Sequence, residues 1–166
     1  MRDGMLYQTT QGRHMNTTTA NIIDELGPFA GVDTVHGVSW DGTHVWIASG
    51  KSLDAIDPAT GSVARSIAVT ADAGTAFDGR HLYQIAEAKI HRIDPATGEV
   101  LSTIPAPGLG CDSALAWAEG SVWVGQFNER KIHRIDPDTG RILGTVESNR
   151  FVTGVTWVDG ELWHAT

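Results

Sequence analysis

The sequence predicts an all-β fold, a β-propeller of four-stranded antiparallel blades with about four blade periods in the chain. All six tryptophans fall into three pairs with one spacing, Trp40/Trp46, Trp117/Trp123 and Trp157/Trp163. A fourth aromatic pair, Phe77/Tyr83, shares this spacing, so the first members recur at intervals of 37, 40 and 40 residues. A repeat of about 40 residues with aromatic, turn and strand signals is typical of a propeller blade.

Residues 74–107 show how one blade is predicted to divide into strands. GTAFDG is a short apolar strand that ends in a turn, and RHLYQIAEA follows as a second strand. KIHRIDP and GEVLSTIP supply the third and the fourth. Blades must stack to bury both faces, so we predict that the aromatic pairs fill the layers between blades as core.

Two turn motifs separate the predicted strands. An acid–Gly dipeptide lies within each aromatic pair: Asp41-Gly42, Asp78-Gly79, Glu119-Gly120 and Asp159-Gly160. The strings AIDPATG, RIDPATG and RIDPDTG place Asp57, Asp94 and Asp136 at one point of the repeat. Proline presets φ for a turn, aspartate accepts hydrogen bonds from nearby amides, and glycine tolerates positive φ. Because all three repeats share these aspartates, we predict a structural turn rather than a metal or catalytic role.

Composition narrows the classes of partner. The 166 residues carry a net charge of −8, which disfavours nucleic acid and anionic membranes, because both attract clustered Lys and Arg. The single cysteine, Cys111, has no internal disulfide partner. Neither an apolar run of about 20 residues nor a signal-like N-terminal stretch is seen, so we expect a cytoplasmic protein. We predict one propeller unit over residues 1–166, with blade breaks near residues 36, 74, 113 and 153.

Both ends of the sequence cut through a blade pattern. RDGMLYQTT matches FDGRHLYQI, with Asp3-Gly4 at the turn and Tyr7 at the second aromatic, although residues 1–14 could instead derive from a cloning tag. NIIDELGPF could form a fourth strand, and DGELWHAT stops within a second strand. Unpaired strand edges invite another chain. Three arrangements follow: four blades close alone, two copies self-associate into a ring, or the chain is a fragment.

The blades resemble the glutaminyl cyclase propellers of plants and bacteria over roughly residues 35–166. Those five-bladed proteins are built on G-L-x-x-x-x-G-x-L-[WY] with a downstream I-D-[PK]-x-T-G turn, as in LAWAEGSVWVG and RIDPDTG here. Streptogramin lyases, which use a His/Glu set around magnesium, and YVTN and quinoprotein-like propellers share the pattern. The resemblance places the cyclase glutamate just before an innermost strand, where this chain has His36, Ala73, Ser113 and Thr153.

Comparison of the repeats separates scaffold histidines from singletons. His44 and His81 share one position after the acid–Gly turn, and His91 and His133 share another in IHRIDP. The singletons are His14, His36 and His164. His36 precedes an innermost strand, whose side chains face the central channel, and an imidazole there or at His164 could act as a base or a metal ligand.

Polar residues recur at the same end of successive innermost strands. If the ring closes, they form a funnel with His36 at the channel mouth, where propeller ligands bind. Carboxylates with an imidazole could hold a divalent metal, although no spacing signature supports one. A Cys111–His36 nucleophile pair is an alternative to a plain small side chain at Cys111. The candidate ligand-binding residues are His36, Asp72, Asp112, Ser113, Thr153 and His164, with Asp33 nearby.

The sequence thus favours a binding or scaffold module with a small-molecule or peptide site at the channel mouth. The alternatives are an enzyme, either a glutaminyl-peptide cyclotransferase or a metal-assisted lyase, and a structural propeller fragment that self-assembles. The missing glutamate weighs against the enzyme.

Overall fold

The computed structural model describes residues 21–23 and 25–166, and within them fourteen β-strands form four antiparallel sheets. The predicted N-terminal partial blade, with Asp3-Gly4, Tyr7 and His14, lies outside the described residues. The strands are β1 (Gly37–Trp40), β2 (Val45–Ala48), β3 (Leu53–Ile56), β4 (Val63–Ile67), β5 (Thr75–Phe77), β6 (Leu82–Ala86), β7 (Lys89–Ile93), β8 (Val100–Pro105), β9 (Asp112–Ala118), β10 (Ser121–Gln126), β11 (Lys131–Ile135), β12 (Ile142–Glu147), β13 (Gly154–Val158) and β14 (Glu161–Ala165).

The sheets are consecutive propeller blades, as predicted. Blades 1, 2 and 3 each have four strands in chain order, β1–β4, β5–β8 and β9–β12, and blade 4 has two, β13–β14. The innermost strands lie side by side in the row β1, β5, β9, β13. β1 and β13 therefore stand at the two ends of a row of blades.

The acid–Gly turns take two forms. In blades 1 and 2 they belong to four-residue connections, and Asp41 Oδ1 accepts the amides of Thr43 and His44 at 2.7 and 2.6 Å. In blades 3 and 4, Glu119-Gly120 and Asp159-Gly160 are two-residue hairpins with positive φ at both positions. That geometry is the type I′ turn that matches strand twist. The same sequence motif thus supports two backbone solutions.

The aspartates of the DPxTG strings make the turn that the sequence predicts. Oδ1 of Asp57 and of Asp94 accepts the amide two residues on, at 2.8 and 2.7 Å. Asp136 accepts the amides of Asp138 and Thr139, both at 3.0 Å. The glycine that closes each turn has positive φ, between 68° and 78°. The carboxylates of these aspartates are therefore hydrogen-bonded to backbone amides of their own turns.

The aromatic pairs hold neighbouring blades together. The second aromatic of one blade meets the first aromatic of the next: Tyr83 stacks on Trp117 at a centroid distance of 5.2 Å, and Trp123 meets Trp157 at 5.6 Å. Between blades 1 and 2, Phe77 packs against the buried cluster that contains Trp46. The predicted core role of the aromatics is confirmed at these three interfaces.

Glycines let the innermost strands approach one another. A β-carbon at Gly37 would lie 2.8 Å from the Ala73 carbonyl oxygen, and one at Gly74 would lie 2.6 Å from the Ala114 Cα. Both contacts are with backbone, which cannot rotate away. Glycine is therefore required at these two positions, whereas the equivalent residue of blade 3 is Ala114.

The segment before blade 1 differs from one expectation. Residues 21–23 and 25–29 form no strand, so the fourth strand suggested for NIIDELGPF is not present in this described part. Ile22 and Ile23 are exposed, and Pro28 lacks the N–H that a sheet ladder needs. None of the described residues forms a helix long and apolar enough to cross a membrane.

The substitution Gly74→Ala tests the close approach of the blades. We expect it to lower the free energy of unfolding by about 1–3 kcal/mol, because the new methyl overpacks against the backbone of blade 3. Gly144→Ala in β12 is the matched control, since a β-carbon there meets nothing within 4 Å. Urea unfolding measures both, and equal stability of the two variants would contradict the analysis.

Candidate functional site

Five of the predicted site residues precede or begin the innermost strands and His164 lies in β14, but their side chains are dispersed. His36, Asp72, Thr153 and His164 are exposed. The His36 amide donates to the Ala48 carbonyl at 2.8 Å, and the Thr153 amide donates to the Ala165 carbonyl at 3.0 Å. Among the described residues, no hydrogen bond or ion pair joins two of the six candidate side chains.

Asp112 is buried and turned toward its own blade. Both carboxylate oxygens lie 3.0 Å from the Gly108 amide, and Gln126 Nε2 lies 3.5 Å from Oδ1. A β-carbon at Gly108 would lie 2.6 Å from Oδ1, so a larger residue there would displace the Asp112 carboxylate. Burial raises the pKa of Asp112, and the lowering by the Gly108 amide and Gln126 does not offset it. The hydrogen bonds between Asp112 and the Gly108 amide therefore hold the loop over residues 108–112.

Ser113 joins two blades. Its hydroxyl lies 3.1 Å from the Gly125 carbonyl oxygen in its own blade and 2.7 Å from the Val152 carbonyl oxygen before blade 4. One hydroxyl proton serves these two acceptors. The contacts are structural. Cys111, next in the chain before Asp112, is exposed and free.

A polar pair between the third and fourth strands recurs in every four-stranded blade. In blade 2, His91 Nδ1 lies 2.8 Å from Thr103 Oγ1, and in blade 3, His133 Nδ1 lies 2.8 Å from Thr145 Oγ1. These partners face each other in the strand register. His91 and His133 thus make the same contact at equivalent positions, which fits the predicted scaffold role of this pair.

Blade 1 replaces this histidine with a carboxylate. Asp54 occupies the same register position, opposite Ser66 in β4, and the Ser66 hydroxyl donates to Oδ1 at 2.5 Å. The hydroxyls of Ser52 and Ser49 lie 2.8 and 3.1 Å from Oδ2. Asp54 is buried. A buried acid is stable only when hydrogen bonds compensate its desolvation, and three serines supply them.

Asp54 borders a cavity of about 420 Å³ at the entrance of blade 1. The segment before β1 supplies one wall with Asp33 and His36, the turn between β2 and β3 supplies Lys51, and β3 and β4 supply the acid and Ser66. Gly50, within that turn, exchanges backbone hydrogen bonds with Ala71 at 2.7 and 3.1 Å, which fixes the turn to the segment entering blade 2. The cavity thus combines two carboxylates, one ammonium, one imidazole and several hydroxyls.

Sequence reasoning found His36 and Asp33 but missed Asp54 and the serines. The signal was present in the repeat: SLDAIDP in blade 1 stands where the other blades have KIHRIDP. Asp54 is the singleton at a position that is histidine elsewhere. The comparison that set aside His91 and His133 would have identified it.

The donor set favours hydrogen bonding over metal binding. In the part of the chain that is described, no group of three or more His, Cys, Asp or Glu side chains could hold a metal ion. The residues at the innermost-strand entries do not fit the His/Glu magnesium set that the resemblance to streptogramin lyases implies. The cavity can therefore accept and donate hydrogen bonds around the buried carboxylate of Asp54.

Comparisons with known proteins agree on the architecture. No family model matches the chain, and no curated protein matches it in sequence. Its structure is similar to the glutaminyl cyclase of Myxococcus xanthus, with 14% identity and a TM-score of 0.63 over 77% of this chain and 66% of that one. BamB from Moraxella catarrhalis is similar at 14% identity and a TM-score of 0.60, with coverage of 76% and 38%.

The computationally designed Ika4 protein is also similar, with 16% identity and a TM-score of 0.59 over 89% of this chain and 100% of that one. By contrast, this chain spans only 66% of the cyclase chain and 38% of the BamB chain. At such identities the likeness shows the fold alone. The chain is a β-propeller repeat protein that shares its blade architecture with the glutaminyl cyclase and BamB propellers.

Substitution of His133 tests the scaffold role of the paired histidines. Burial, with a smaller contribution from the charge of Lys131, lowers the pKa of His133 in the folded state. As the pH falls below about 6.5, this histidine is therefore protonated in the unfolded chain before it is protonated in the folded protein. The stability that the neutral His133 contributes is lost progressively until the pH reaches the lower folded-state pKa.

We accordingly expect that the free energy of unfolding falls less between pH 7 and pH 5.5 in His133→Gln than in the unmodified protein. His164→Gln, which changes an exposed histidine, serves as the control and should keep the original pH dependence. Urea unfolding at both pH values measures the difference. An identical fall in all three proteins would refute the assignment.

Proposed function

We propose that this protein is a binding module whose ligand occupies the cavity of blade 1. The observation that carries the proposal is Asp54, a buried carboxylate at a position where the other blades keep a histidine. A repeat scaffold does not need this change, because the histidine pairs with its threonine partner equally well in blades 2 and 3.

The cavity's chemistry selects a class of ligand. Asp54 and Asp33 accept hydrogen bonds, and the hydroxyls of Ser49 and Ser52, whose protons are directed at Asp54, retain acceptor lone pairs. Lys51 and His36 at the rim can contact an acceptor on the same molecule. We infer a polar small molecule, or the end of a short peptide, with hydroxyl or ammonium donors. A cavity of about 420 Å³ lies within the range of small-molecule sites, roughly 300–1,000 Å³.

Other expectations remain proposals beside this one. They are the single unit over residues 1–166, the cytoplasmic location, and the participation of Asp72, Thr153 and His164 in binding. Asp112 and Ser113 are engaged by backbone groups, so we assign the ligand to the blade 1 cavity rather than to a funnel shared by all blades.

The substitution Asp54→Asn tests the site by removing the charge while keeping the shape. Monosaccharides, polyols, amino acids and di- and tripeptides are screened against the unmodified protein by thermal shift, and the dissociation constants of binders are measured by calorimetry. We expect Asp54→Asn to weaken each binder at least tenfold, about 1.4 kcal/mol. His36→Ala should weaken binders that reach the rim.

Asp159→Asn is the matched control, because it removes an exposed carboxylate outside the cavity. Its dissociation constants should equal those of the unmodified protein. Unchanged binding by Asp54→Asn would refute the site. A screen with no binder at millimolar concentration would count against the proposed ligand class.

A further inference from the structure

The three interfaces between blades have the same arrangement of side chains. The following blade contributes a residue of its innermost strand that is buried at the interface. The aromatic two residues later packs against the second aromatic of the preceding blade. Thr75 and Leu115 occupy the first position in blades 2 and 3, with Phe77 and Trp117 in the second. The preceding blade contributes its second aromatic, which is 1–2% exposed at Trp46, Tyr83 and Trp123.

The two ends of the row expose the two halves of this interface. On β1, the equivalent residues Val38 and Trp40 are 60% and 52% exposed, and we call them the leading face. On β14, the second aromatic Trp163 is 57% exposed, and together with Gly154 it forms the trailing face. Trp163 thus presents to solvent the ring that its counterparts bury almost completely.

Gly154 supports this view of the trailing face independently of the aromatic. It aligns with Gly37 and Gly74, against which the backbone of the next blade lies, and with Ala114 in blade 3. A β-carbon at Gly154 would meet only Ala165 Cβ, at 3.4 Å, so nothing in the described structure requires glycine there. Among the described residues, none other than Ala165 lies beside this position.

We propose that a second copy of this chain packs its leading face against the trailing face, head to tail, and so forms a fourth interface of the same design. A second copy fits the trailing face because, at the three interfaces within the molecule, the counterpart of Trp163 lies against the innermost strand of the next blade. The leading face is such an innermost strand. With two-fold symmetry, both faces of each copy are used. This proposal does not depend on a ligand in the blade 1 cavity.

The contact has the properties of a stable interface. Each large aromatic buries about 150–250 Å², and stacked pairs add to that burial. Two such contacts per dimer, with their flanking strand residues, approach the roughly 800 Å² per partner of a standard interface. Each copy carries a charge of −8, so association should strengthen with salt that screens the repulsion.

The test measures molar mass by light scattering at about 100 µM in 0.15 M salt, with the full chain and two single variants. We expect the unmodified protein to have twice the 17.8 kDa mass of one chain. Trp40→Glu and Trp163→Glu should each be monomeric, because every head-to-tail contact then contains one altered face. An equimolar mixture should associate more tightly than either variant alone, because one of the two contacts then joins the intact trailing face of Trp40→Glu to the intact leading face of Trp163→Glu.

Leu109→Glu is the control, since it places the same charge on another exposed apolar residue and should leave the mass unchanged. Near-ultraviolet circular dichroism checks that every variant is folded. A monomeric unmodified protein would overturn the proposal. So would a Trp40→Glu variant that still dimerises alone, which indicates contact between like faces, or a mixture that associates no more tightly than the two variants do separately.

Discussion

The close backbone approach between neighbouring innermost strands is the constraint on which the rest of the structure depends. At Gly37 and Gly74 one blade touches the next without room for a β-carbon. This proximity brings the aromatic rings of successive blades to 5.2 and 5.6 Å, where stacking adds to apolar burial. The outer strands hold far more exposed residues, so the inner half of each blade carries most of the packing.

Much of the fold could be predicted because its signals are local. The aromatic spacing is set by a single hairpin, and Asp57, Asp94 and Asp136 bind amides two or three residues away. Features that depend on distant contacts were not predictable in this way. Ser113 bonds to the Val152 carbonyl 39 residues further on. The two turn forms, by contrast, follow a local difference, because the acid directly follows the first aromatic in blades 1 and 2 and lies one residue later in blades 3 and 4.

The candidate site was half predicted for the same reason. His36 could be found because a single residue breaks the repeat at the entry of β1. The cavity around it could not, since its hydroxyls come from the β2–β3 turn and from β4 and converge only when blade 1 folds. The informative departure from the repeat was the loss of a histidine: Asp54 puts a carboxylate where blades 2 and 3 have an imidazole beside threonine.

The proposed ligand site and the proposed leading face meet at the start of β1. His36 lines the cavity, and Val38, two residues on, lies on the face that a second copy would cover. The His36 amide is hydrogen-bonded to the Ala48 carbonyl at 2.8 Å, and Val38 pairs with Ile47 in the register of β1 and β2, so both residues are held by the same neighbouring strand. Binding free energies that act on the same element are coupled reciprocally. Whatever factor ligand binding changes in the association of two copies must therefore appear equally as a change of ligand affinity on association.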